Sequence, residues 1–240
     1  MEAPALIRLR QAGVRFGAIQ ALDAIDVGVR RGECIALVGA NGSGKTTLLR
    51  LLHGLQGCTT GAREVPAHVG RLSTAGLRCA MVFQRPFLLN LSVNQNLNIA
   101  LWLRAYPRQE RLRRAGEALE RMGLVALAQR PARTLSGGQQ QRLALAIAWS
   151  TDPDVLFLDE PTANLDPGAK REVEAAIAQL ASEGLTLVMS THNLGQAKRL
   201  ASRVLYLENG RLLVDAPVDQ FFQDRLPASA EQFLKGERSW

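Results

Sequence analysis

The sequence predicts an α/β protein with a mostly parallel sheet, and three observations support that prediction. Residues 39–47 fit the pattern G-x-x-x-x-G-K-[ST], between an apolar run at 34–38 that predicts a buried strand and a helical pattern at 48–52. A second apolar run, at 155–158, ends in two acidic residues. Around and after that run, helix and strand patterns alternate, as they do in parallel α/β sheets.

Residues 39–47, called the phosphate loop below, have the composition of a loop that binds nucleotide phosphates. Its glycines let the backbone turn tightly and bring N–H groups up to phosphate oxygens, and the helix beginning near Lys45 directs its positive dipole end there. Lys45 is expected to reach the β- and γ-phosphates, and the hydroxyl of Thr46 to ligate Mg²⁺. A glycine-rich turn with a surface lysine is the alternative, which the strand–loop–helix setting disfavours. The predicted contacts are Gly39, Ala40, Asn41, Gly42, Ser43, Gly44, Lys45, Thr46 and Thr47.

Composition limits the class of protein. The chain has 240 residues, 47% of them hydrophobic, which is enough for a large core and argues against general disorder. It lacks a run of about 18 apolar residues that would span a membrane, and its first residues lack the layout of a signal peptide. Its three cysteines show no C-x-x-C spacing, and Cys34 and Cys79 lie in strand-like runs that predict buried thiols. These observations predict a cytoplasmic protein.

The net charge of +7 is unevenly distributed. Residues 101–133 hold eight arginines and three glutamates, a net +5. Such a basic helical segment could meet nucleic acid, could meet the anionic inner face of a membrane, or could be an ordinary solvated helix surface. Only Trp102 and Tyr106 supply aromatic rings there, which counts against nucleic acid.

The N-terminal part predicts strands and the middle predicts helices. Residues 6–9 and 25–29 alternate in polarity between turn signals, with Phe16 between them, and another strand is predicted at 77–83. From Ser92 the apolar spacing becomes helical, and this insert, with a second helix at 111–122, is expected to end near Thr134.

The C-terminal part predicts the rest of the sheet. Helices are expected at 139–150 and at 166–183, where Pro167 occupies the first turn, with a buried strand at 185–190 after them. An Asn-Gly pair at 209–210 predicts a β-hairpin, followed by a polar amphipathic tail. We therefore expect one domain over 1–240, with a nucleotide-binding core at 1–91 and 134–217, a helical subdomain at 92–133 and a tail at 218–240.

Two further motifs surround the predicted nucleotide. Asp159 and Glu160 stand at the carboxyl end of a buried strand, where Asp159 would hold Mg²⁺ and Glu160 would polarise the attacking water. An exposed acidic turn is the alternative. The stretch Leu-Ser-Gly-Gly-Gln at 135–139 makes a second helix start suited to anions, with Ser136 as its N-cap and Gly137, Gly138 and Gln139 after it. One triphosphate needs only one such loop, so the second requires an explanation.

In its motifs and their order the sequence resembles the ATP-binding cassette (ABC) ATPases, from about Leu6 to Pro217. In that family Leu-Ser-Gly-Gly-Gln is the signature, which serves the γ-phosphate bound by a neighbouring subunit. Kinases and small GTPases have no such motif. The resemblance implies a P-loop NTPase fold of the ABC ATPase type: a mostly parallel core, an N-terminal antiparallel β subdomain and an inserted α-helical subdomain.

The resemblance also implies roles for single residues. Phe16 matches the aromatic residue that stacks on adenine, and Gln84 matches a glutamine that meets Mg²⁺ and the attacking water. Asp166 ends a loop that crosses the dimer interface. His192 matches a histidine that contacts the γ-phosphate, although such a residue alone is more often a strand-end histidine satisfied by backbone. Residues 56–61 depart from the family pattern, so an altered antiparallel sheet is expected there.

The implied function is an ATPase that uses ATP and Mg²⁺ as a homodimer enclosing two composite sites. It would serve a membrane importer from the cytoplasmic face, with an integral membrane permease and a solute-binding protein as partners and no nucleic acid. Residues 81–86 and 190–197 resemble importers of oxyanions, with tungstate first and molybdate and phosphate next. The alternatives are a polar amino acid importer, a soluble ABC ATPase acting on ribosomes or DNA, and a non-enzymatic docking module.

Phe87, Leu88 and Leu89 would either line a permease-docking groove or belong to the core.

Overall fold

The structure, a computed structural model, describes residues 5–66, 76–223, 226–234 and 236. The strands within these ranges are β1 (Ala5–Phe16), β2 (Ile19–Arg30), β3 (Cys34–Val38), β4 (Thr60–Glu64), β5 (Cys79–Val82), β6 (Val155–Asp159), β7 (Thr186–Ser190), β8 (Arg203–Glu208) and β9 (Arg211–Pro217). The helices are α1 (Lys45–His53), α2 (Val93–Leu103), α3 (Arg108–Arg121), α4 (Gly137–Ser150), α5 (Pro167–Ser182), α6 (Leu194–Leu200), α7 (Val218–Gln223) and α8 (Ala228–Leu234).

A six-stranded sheet forms the centre of the molecule, in the order β5-β6-β7-β3-β8-β9. All neighbours are parallel except the hairpin strands β8 and β9. Every residue of β3, β6 and β7 is buried, which explains why these strands are continuous apolar runs without alternation. The three strands are neighbours, so their carboxyl ends, and the loops that follow them, meet at one edge of the sheet.

The N-terminal strands form a separate antiparallel sheet in the order β2-β1-β4. β1 and β2 are each 12 residues long, much longer than the predicted segments, and Phe16 ends β1. The departure at residues 56–61 does not prevent pairing, because β4 joins β1 with Arg8 opposite Glu64. Gly61 explains the close approach: its φ is +70° and a Cβ there would lie 2.1 Å from the Gln11 carbonyl oxygen.

The helical insert contains α2, α3 and two short 3₁₀ turns, Val125–Leu127 and Ala132–Thr134. Part of its basic charge is paired within the structure. Arg113 contacts Glu110 and Glu117, and Arg114 contacts Glu110 at 2.6 Å. These arginines hold the pKa of Glu110 at about 2, well below its ordinary value. The arginine-rich helix is therefore stabilised by its own ion pairs, as an exposed helix surface often is.

The described part of the tail packs against the main body. α7 and α8 bury Phe221 and Phe233, and the Phe233 ring lies 5.3 Å from the ring of Tyr206 on β8. The inner face of the tail is thus apolar and its outer face polar, as an amphipathic segment requires.

Two smaller expectations have mixed outcomes. All three cysteines are free thiols, and Cys34 is buried while Cys79 is only half-buried. Phe87 is 84% exposed whereas Leu88 is buried, so neither the groove nor the core interpretation holds for the whole segment.

Across the described ranges, we find no helix with the length and hydropathy that crossing a bilayer requires.

Candidate functional site

An open cleft of about 950 Å³ lies where the predicted phosphate loop and the acidic strand meet. Of the predicted site residues, the cleft is lined by Asn41, Gly42, Gly44, Lys45, Thr46, Thr47, Gln84, Glu160 and His192. The wall on the antiparallel-sheet side comes from Ile19, Gln20 and Ala21. Phe16, half exposed at the end of β1, is not among the lining residues. Its proposed stacking on adenine therefore stays a prediction.

The backbone of the phosphate loop adopts conformations that demand glycine. Gly42 and Gly44 have φ values of +77° and +107°, and Gly44 leads directly into α1. At Gly39, a Cβ would lie 2.2 Å from the carbonyl oxygen of Leu207 on β8. Only glycine lets the loop turn back so closely over the sheet edge.

Lys45 lies across this loop. Its Nζ donates hydrogen bonds to the carbonyl oxygens of Gly39 and Ala40, both at 2.9 Å, and the residue is only 6% exposed. Burial lowers the pKa of Lys45, and the nearby carboxylates of Glu160 and Asp159 oppose that shift. The site therefore holds a desolvated cation next to two acids.

Asp159, at the end of β6, joins three elements. Its Oδ1 accepts hydrogen bonds from Thr46 Oγ1 at 3.0 Å and from Ser190 Oγ at 2.7 Å. The carboxylate is buried, and the hydroxyls come from α1 and β7. A carboxylate and a hydroxyl at this spacing are hard oxygen donors of the kind that Mg²⁺ prefers. The described residues contain no cluster of three or more His, Cys, Asp or Glu side chains suited to a metal.

Glu160 is held in an unusual backbone conformation. Its φ is +44°, a left-handed value that is rare for a non-glycine residue and costs about 1–3 kcal/mol. Its N–H donates to Ser190 Oγ at 3.0 Å, and its Oε2 lies 3.2 Å from Nδ1 of His192. The side chain of Glu160 is mostly buried whereas that of His192 is half exposed. Ser190 thus holds the backbone of Glu160, and His192 contacts its carboxylate, which borders the cleft.

Ser190 is a site residue that sequence reasoning did not identify. Its hydroxyl donates to Asp159 Oδ1 and accepts from the Glu160 N–H, so one side chain contacts the carboxylate of the first acidic residue and the backbone of the second. The available signal was its place at the end of the predicted buried strand at 185–190, which is the first predicted strand after the one that carries the acids. Parallel pairing of β6 with β7 puts Asp159 opposite Ser190, which sequence alone does not reveal.

The Leu-Ser-Gly-Gly-Gln segment begins α4 as predicted, but outside the cleft. Ser136 and Gln139 form a reciprocal capping box, with the Ser136 N–H donating to Gln139 Oε1 at 3.0 Å. Ser136 and Gly137 are exposed, and neither they nor Gly138 and Gln139 are among the residues that line the cleft. Within one chain, this second anion-ready helix start is separated from the first.

The loop between these motifs is also well defined. Ala163 and Asn164 line the cleft, while Asp166 caps α5 by accepting from the N–H groups of Gly168 at 2.9 Å and Ala169 at 3.0 Å. The hydrogen bond from Ala169, followed by that from Gly168, lowers the pKa of Asp166. Ala169 also contacts the signature helix, since a Cβ on Gly138 would lie 2.5 Å from its Cβ. Asp166 therefore lies beside the signature and not in the cleft.

Known proteins of similar sequence are ATP-binding subunits. The sequence profile of the ABC transporter family matches residues 22–163. The glutamate/aspartate import ATP-binding protein GltL of Escherichia coli is 36% identical over 239 residues, covering 95% of this chain and 98% of that protein. The phosphate import ATP-binding protein PstB 2 of Natronomonas pharaonis is 36% identical over 253 residues, covering 95% and 87%. The glutamate transport ATP-binding protein GluA of Corynebacterium glutamicum is 36% identical over 236 residues, covering 94% and 97%.

Solved structures of the same kind share the fold. CbiO1 of Clostridium perfringens, part of an ABC transporter complex, superposes with a TM-score of 0.82 at 28% identity, covering 92% of this chain and 91% of that one. The ATP-binding cassette MJ0796, in a dimeric post-hydrolysis state with ADP and phosphate, gives a TM-score of 0.75 at 26% identity, covering 88% and 98%. The predicted ABC ATPase fold is confirmed. The cleft contains the phosphate loop and the acidic strand, and both the sequence profile and the fold match. The chain therefore belongs to the ABC transporter family, as an ATP-binding component that hydrolyses ATP.

Proposed function

We propose that this ATPase drives a membrane importer from the cytoplasmic face, and that the imported solute is a polar amino acid. GltL and GluA, two relatives that match nearly the whole chain, are named for glutamate or aspartate transport. The sequence motifs favoured an oxyanion, tungstate above all. That interpretation now has less support than the amino acid alternative, although PstB 2, a phosphate import protein, keeps phosphate as a second candidate.

The phosphate loop would bind the triphosphate of ATP. The glycine-rich backbone and the start of α1 offer N–H donors, and Ser43 adds a buried hydroxyl that has no hydrogen-bond partner among the described residues. Lys45 would exchange its bonds to the Gly39 and Ala40 carbonyls for phosphate oxygens. A phosphate charge would favour the protonated amine, which burial otherwise disfavours.

Thr46, Asp159 and Gln84 would hold Mg²⁺ beside the phosphates. Thr46 Oγ1 and Asp159 Oδ1 are already 3.0 Å apart, and Gln84 lines the same cleft. A site of one carboxylate, one hydroxyl and substrate oxygens is the usual arrangement for this ion. Bound Mg²⁺ would supply charge neutralisation at the β- and γ-phosphates.

Glu160 would act as the general base and His192 would orient the attacking water and the γ-phosphate. Glu160 borders the cleft with one carboxylate oxygen 3.2 Å from His192 Nδ1. A carboxylate so placed can accept the proton of the water as its oxygen attacks phosphorus. This juxtaposition of base, histidine and phosphate loop is the observation that carries the proposed hydrolysis.

A second copy of the chain would complete each site. Ser136 is exposed to solvent and the signature does not line its own chain's cleft, so a head-to-tail partner would be needed to bring it to a nucleotide. MJ0796 was observed as a dimeric cassette. ATP held between the two copies would favour the closed dimer, and hydrolysis would remove that bias.

A permease segment would dock in a second groove, of about 380 Å³. Its lining is largely apolar and includes Phe83, Phe87 and Leu88, with Arg104 from the helical insert. Phe87 projects into solvent at 84% exposure, which suits a contact with another protein. We propose that this groove receives a cytoplasmic helix of the permease, and that a solute-binding protein completes the importer.

The substitution Glu160→Gln tests the hydrolysis step. We expect ATP hydrolysis to fall to background while ATP still binds, because the amide keeps the shape of the carboxylate and cannot accept the proton. Light scattering after gel filtration should then show a dimer only in the presence of ATP. Hydrolysis at the wild-type rate would disprove the role of Glu160, and an ATP-bound monomer would disprove the composite site.

The solute is tested by reconstituting the ATPase with its permease in vesicles. Uptake of radiolabelled glutamate or glutamine, dependent on ATP and absent with Glu160→Gln, is the expected result. Uptake of phosphate without amino acid uptake would favour the second candidate.

A further inference from the structure

We propose that Gln196 is a positioning residue that holds the two loops bearing Glu160 and His192 in a fixed relation. This inference rests on the proposed roles of those two residues. Gln196 lies in α6, is fully buried, and does not line the cleft. Its influence on the reaction would therefore be exerted through its neighbours.

The side chain of Gln196 reaches the loop after β6. Its Nε2 donates to Thr162 Oγ1 at 2.9 Å, and Thr162 follows Glu160 by two residues. The same Nε2 donates to Glu174 Oε1 on α5 at 3.2 Å. Both acceptors are buried, so each hydrogen bond is made away from competing water.

The backbone of Gln196 reaches the loop after β7. Its N–H donates to Asn193 Oδ1 at 2.8 Å, the N-cap contact that starts α6. Asn193 directly follows His192, and its own N–H donates to Thr191 Oγ1 at 3.0 Å. Gln196 thus contacts both loops. In one loop it contacts Asn193, the residue after His192, and in the other it contacts Thr162, two residues after Glu160.

The loop after β6 needs such support because its backbone is strained. Glu160 has a φ of +44° and Asn164 a φ of +60°, and Thr162 lies midway between them. Left-handed conformations at non-glycine residues persist only where the surrounding structure holds them. The hydrogen bond from Gln196 is the described side-chain contact that ties the middle of this turn to another element.

Glu174 in turn is a fixed acceptor. Arg199, one turn further along α6, donates to Glu174 Oε2 at 2.7 Å, which leaves Oε1 for Gln196. The carboxylate joins α5 to α6 with one oxygen for each donor. Gln196 therefore cannot swing away from Thr162 without losing a second buried hydrogen bond.

The first test replaces Gln196 by methionine, which has similar volume and no donor. We expect kcat for ATP hydrolysis to fall about tenfold, because small displacements of catalytic groups are costly, with KM for ATP within about twofold. The phosphate loop, which governs ATP binding, makes none of these contacts. Gln179→Met is the matched control, since Gln179 on α5 donates to Glu183 at 3.3 Å on the exposed surface. It should leave kcat and KM unchanged.

Two further variants separate positioning from general stability. Thr162→Val removes the acceptor, so it should lower kcat as Gln196→Met does, and the double variant should be no slower than either single one. Gln196→Glu brings a second carboxylate against Glu174 and should also be slow. Combining it with Glu174→Gln restores one amide and one carboxylate, and we expect kcat to recover.

The outcomes are distinguishable from failure of the proposed function. If Glu160→Gln hydrolyses ATP normally, the role of Glu160 is wrong. If Glu160→Gln is inactive but Gln196→Met keeps the wild-type kcat while only its melting temperature falls, Gln196 is merely structural. Additive effects of Thr162→Val and Gln196→Met would also overturn the inference.

Discussion

Ser190 illustrates how a single hydroxyl organises the acidic end of the sheet. It donates to Asp159 and accepts from the N–H of Glu160, which also donates to the Ser190 carbonyl oxygen at 3.2 Å, so loss of the hydroxyl would leave the buried Asp159 carboxylate short of a donor. We expect Ser190→Ala to lower the free energy of unfolding by about 1–3 kcal/mol. We also expect it to slow ATP hydrolysis at least about tenfold, because the Asp159 carboxylate and the Glu160 backbone would each lose a hydrogen bond that positions them.

Ser150 offers the matched control for that variant. It is equally buried, but its hydroxyl donates only to the Ile147 carbonyl one turn back in α4, at 2.9 Å. Ser150→Ala should therefore leave the hydrolysis rate unchanged. Equal rates for the two variants, measured with purified protein at saturating ATP, would show that Ser190 has no special role.

Cys34 gives a prediction about pH at the residue scale. Burial raises the pKa of its thiol from an ordinary 9.0 to about 12, so the reactive thiolate is about a thousandfold scarcer at any pH below 9. We expect iodoacetamide at pH 8 to modify the half-buried Cys58 in the folded protein and to modify Cys34 only after unfolding in urea. Mass spectrometry of tryptic peptides measures both. Equal rates in the folded protein would contradict the burial of Cys34.

At the scale of elements, two helices begin with the same device. Ser92 caps α2 and Ser136 caps α4, each in a capping box with a glutamine three residues later. Replacing either serine by alanine should cost about 1 kcal/mol of stability. Only Ser136→Ala should also slow ATP hydrolysis, since only α4 is proposed to contact the partner's nucleotide.

This pair of variants separates capping from catalysis. Thermal unfolding gives the stability of each variant, and steady-state hydrolysis gives the rate. If both variants slowed hydrolysis to the same extent, the proposed role of the signature helix would be lost, and the effect would be attributed to stability alone.

At the scale of the whole molecule, the cleft and the apolar groove are separate surfaces, and we propose that they serve separate partners. Phe87 lines the groove and does not line the cleft. We expect Phe87→Ser to abolish co-purification with the permease and ATP-dependent transport. Hydrolysis by the isolated ATPase should stay within about twofold, since exposed substitutions rarely change stability by more than about 0.5 kcal/mol.

Leu112→Ser on α3 is the control for that prediction, because Leu112 is 54% exposed and lies outside the groove. It should retain assembly with the permease. If Phe87→Ser sediments with permease-containing membranes as well as wild type does, the groove is not the docking site.

Motifs with local physical causes could be predicted from the sequence. The strand before the phosphate loop, the helix after it, the N-cap at Ser136 and the Asn-Gly hairpin depend on neighbouring residues, and all four are present. The predictions of the length of β1 and of the first residue of α3 were less accurate. β1 extends to 12 residues because it pairs with β2 from Ala5 to Phe16, and with β4 from Arg8 to Gly13. α3 begins at Arg108, directly after Pro107.

The sequence by itself determined the phosphate loop, the two acids and the signature helix, since each is a short run whose residue types carry the chemistry. Only the tertiary structure decided that Ser190 contacts both acidic residues, that Gln196 contacts the loops after β6 and β7, and that the signature lies outside its own chain's cleft. The physical reason is that these relations depend on which strands are neighbours in the sheet and how helices pack upon it. β6 and β7 lie side by side although they are separated by a whole helix in the chain, and no local pattern records that adjacency.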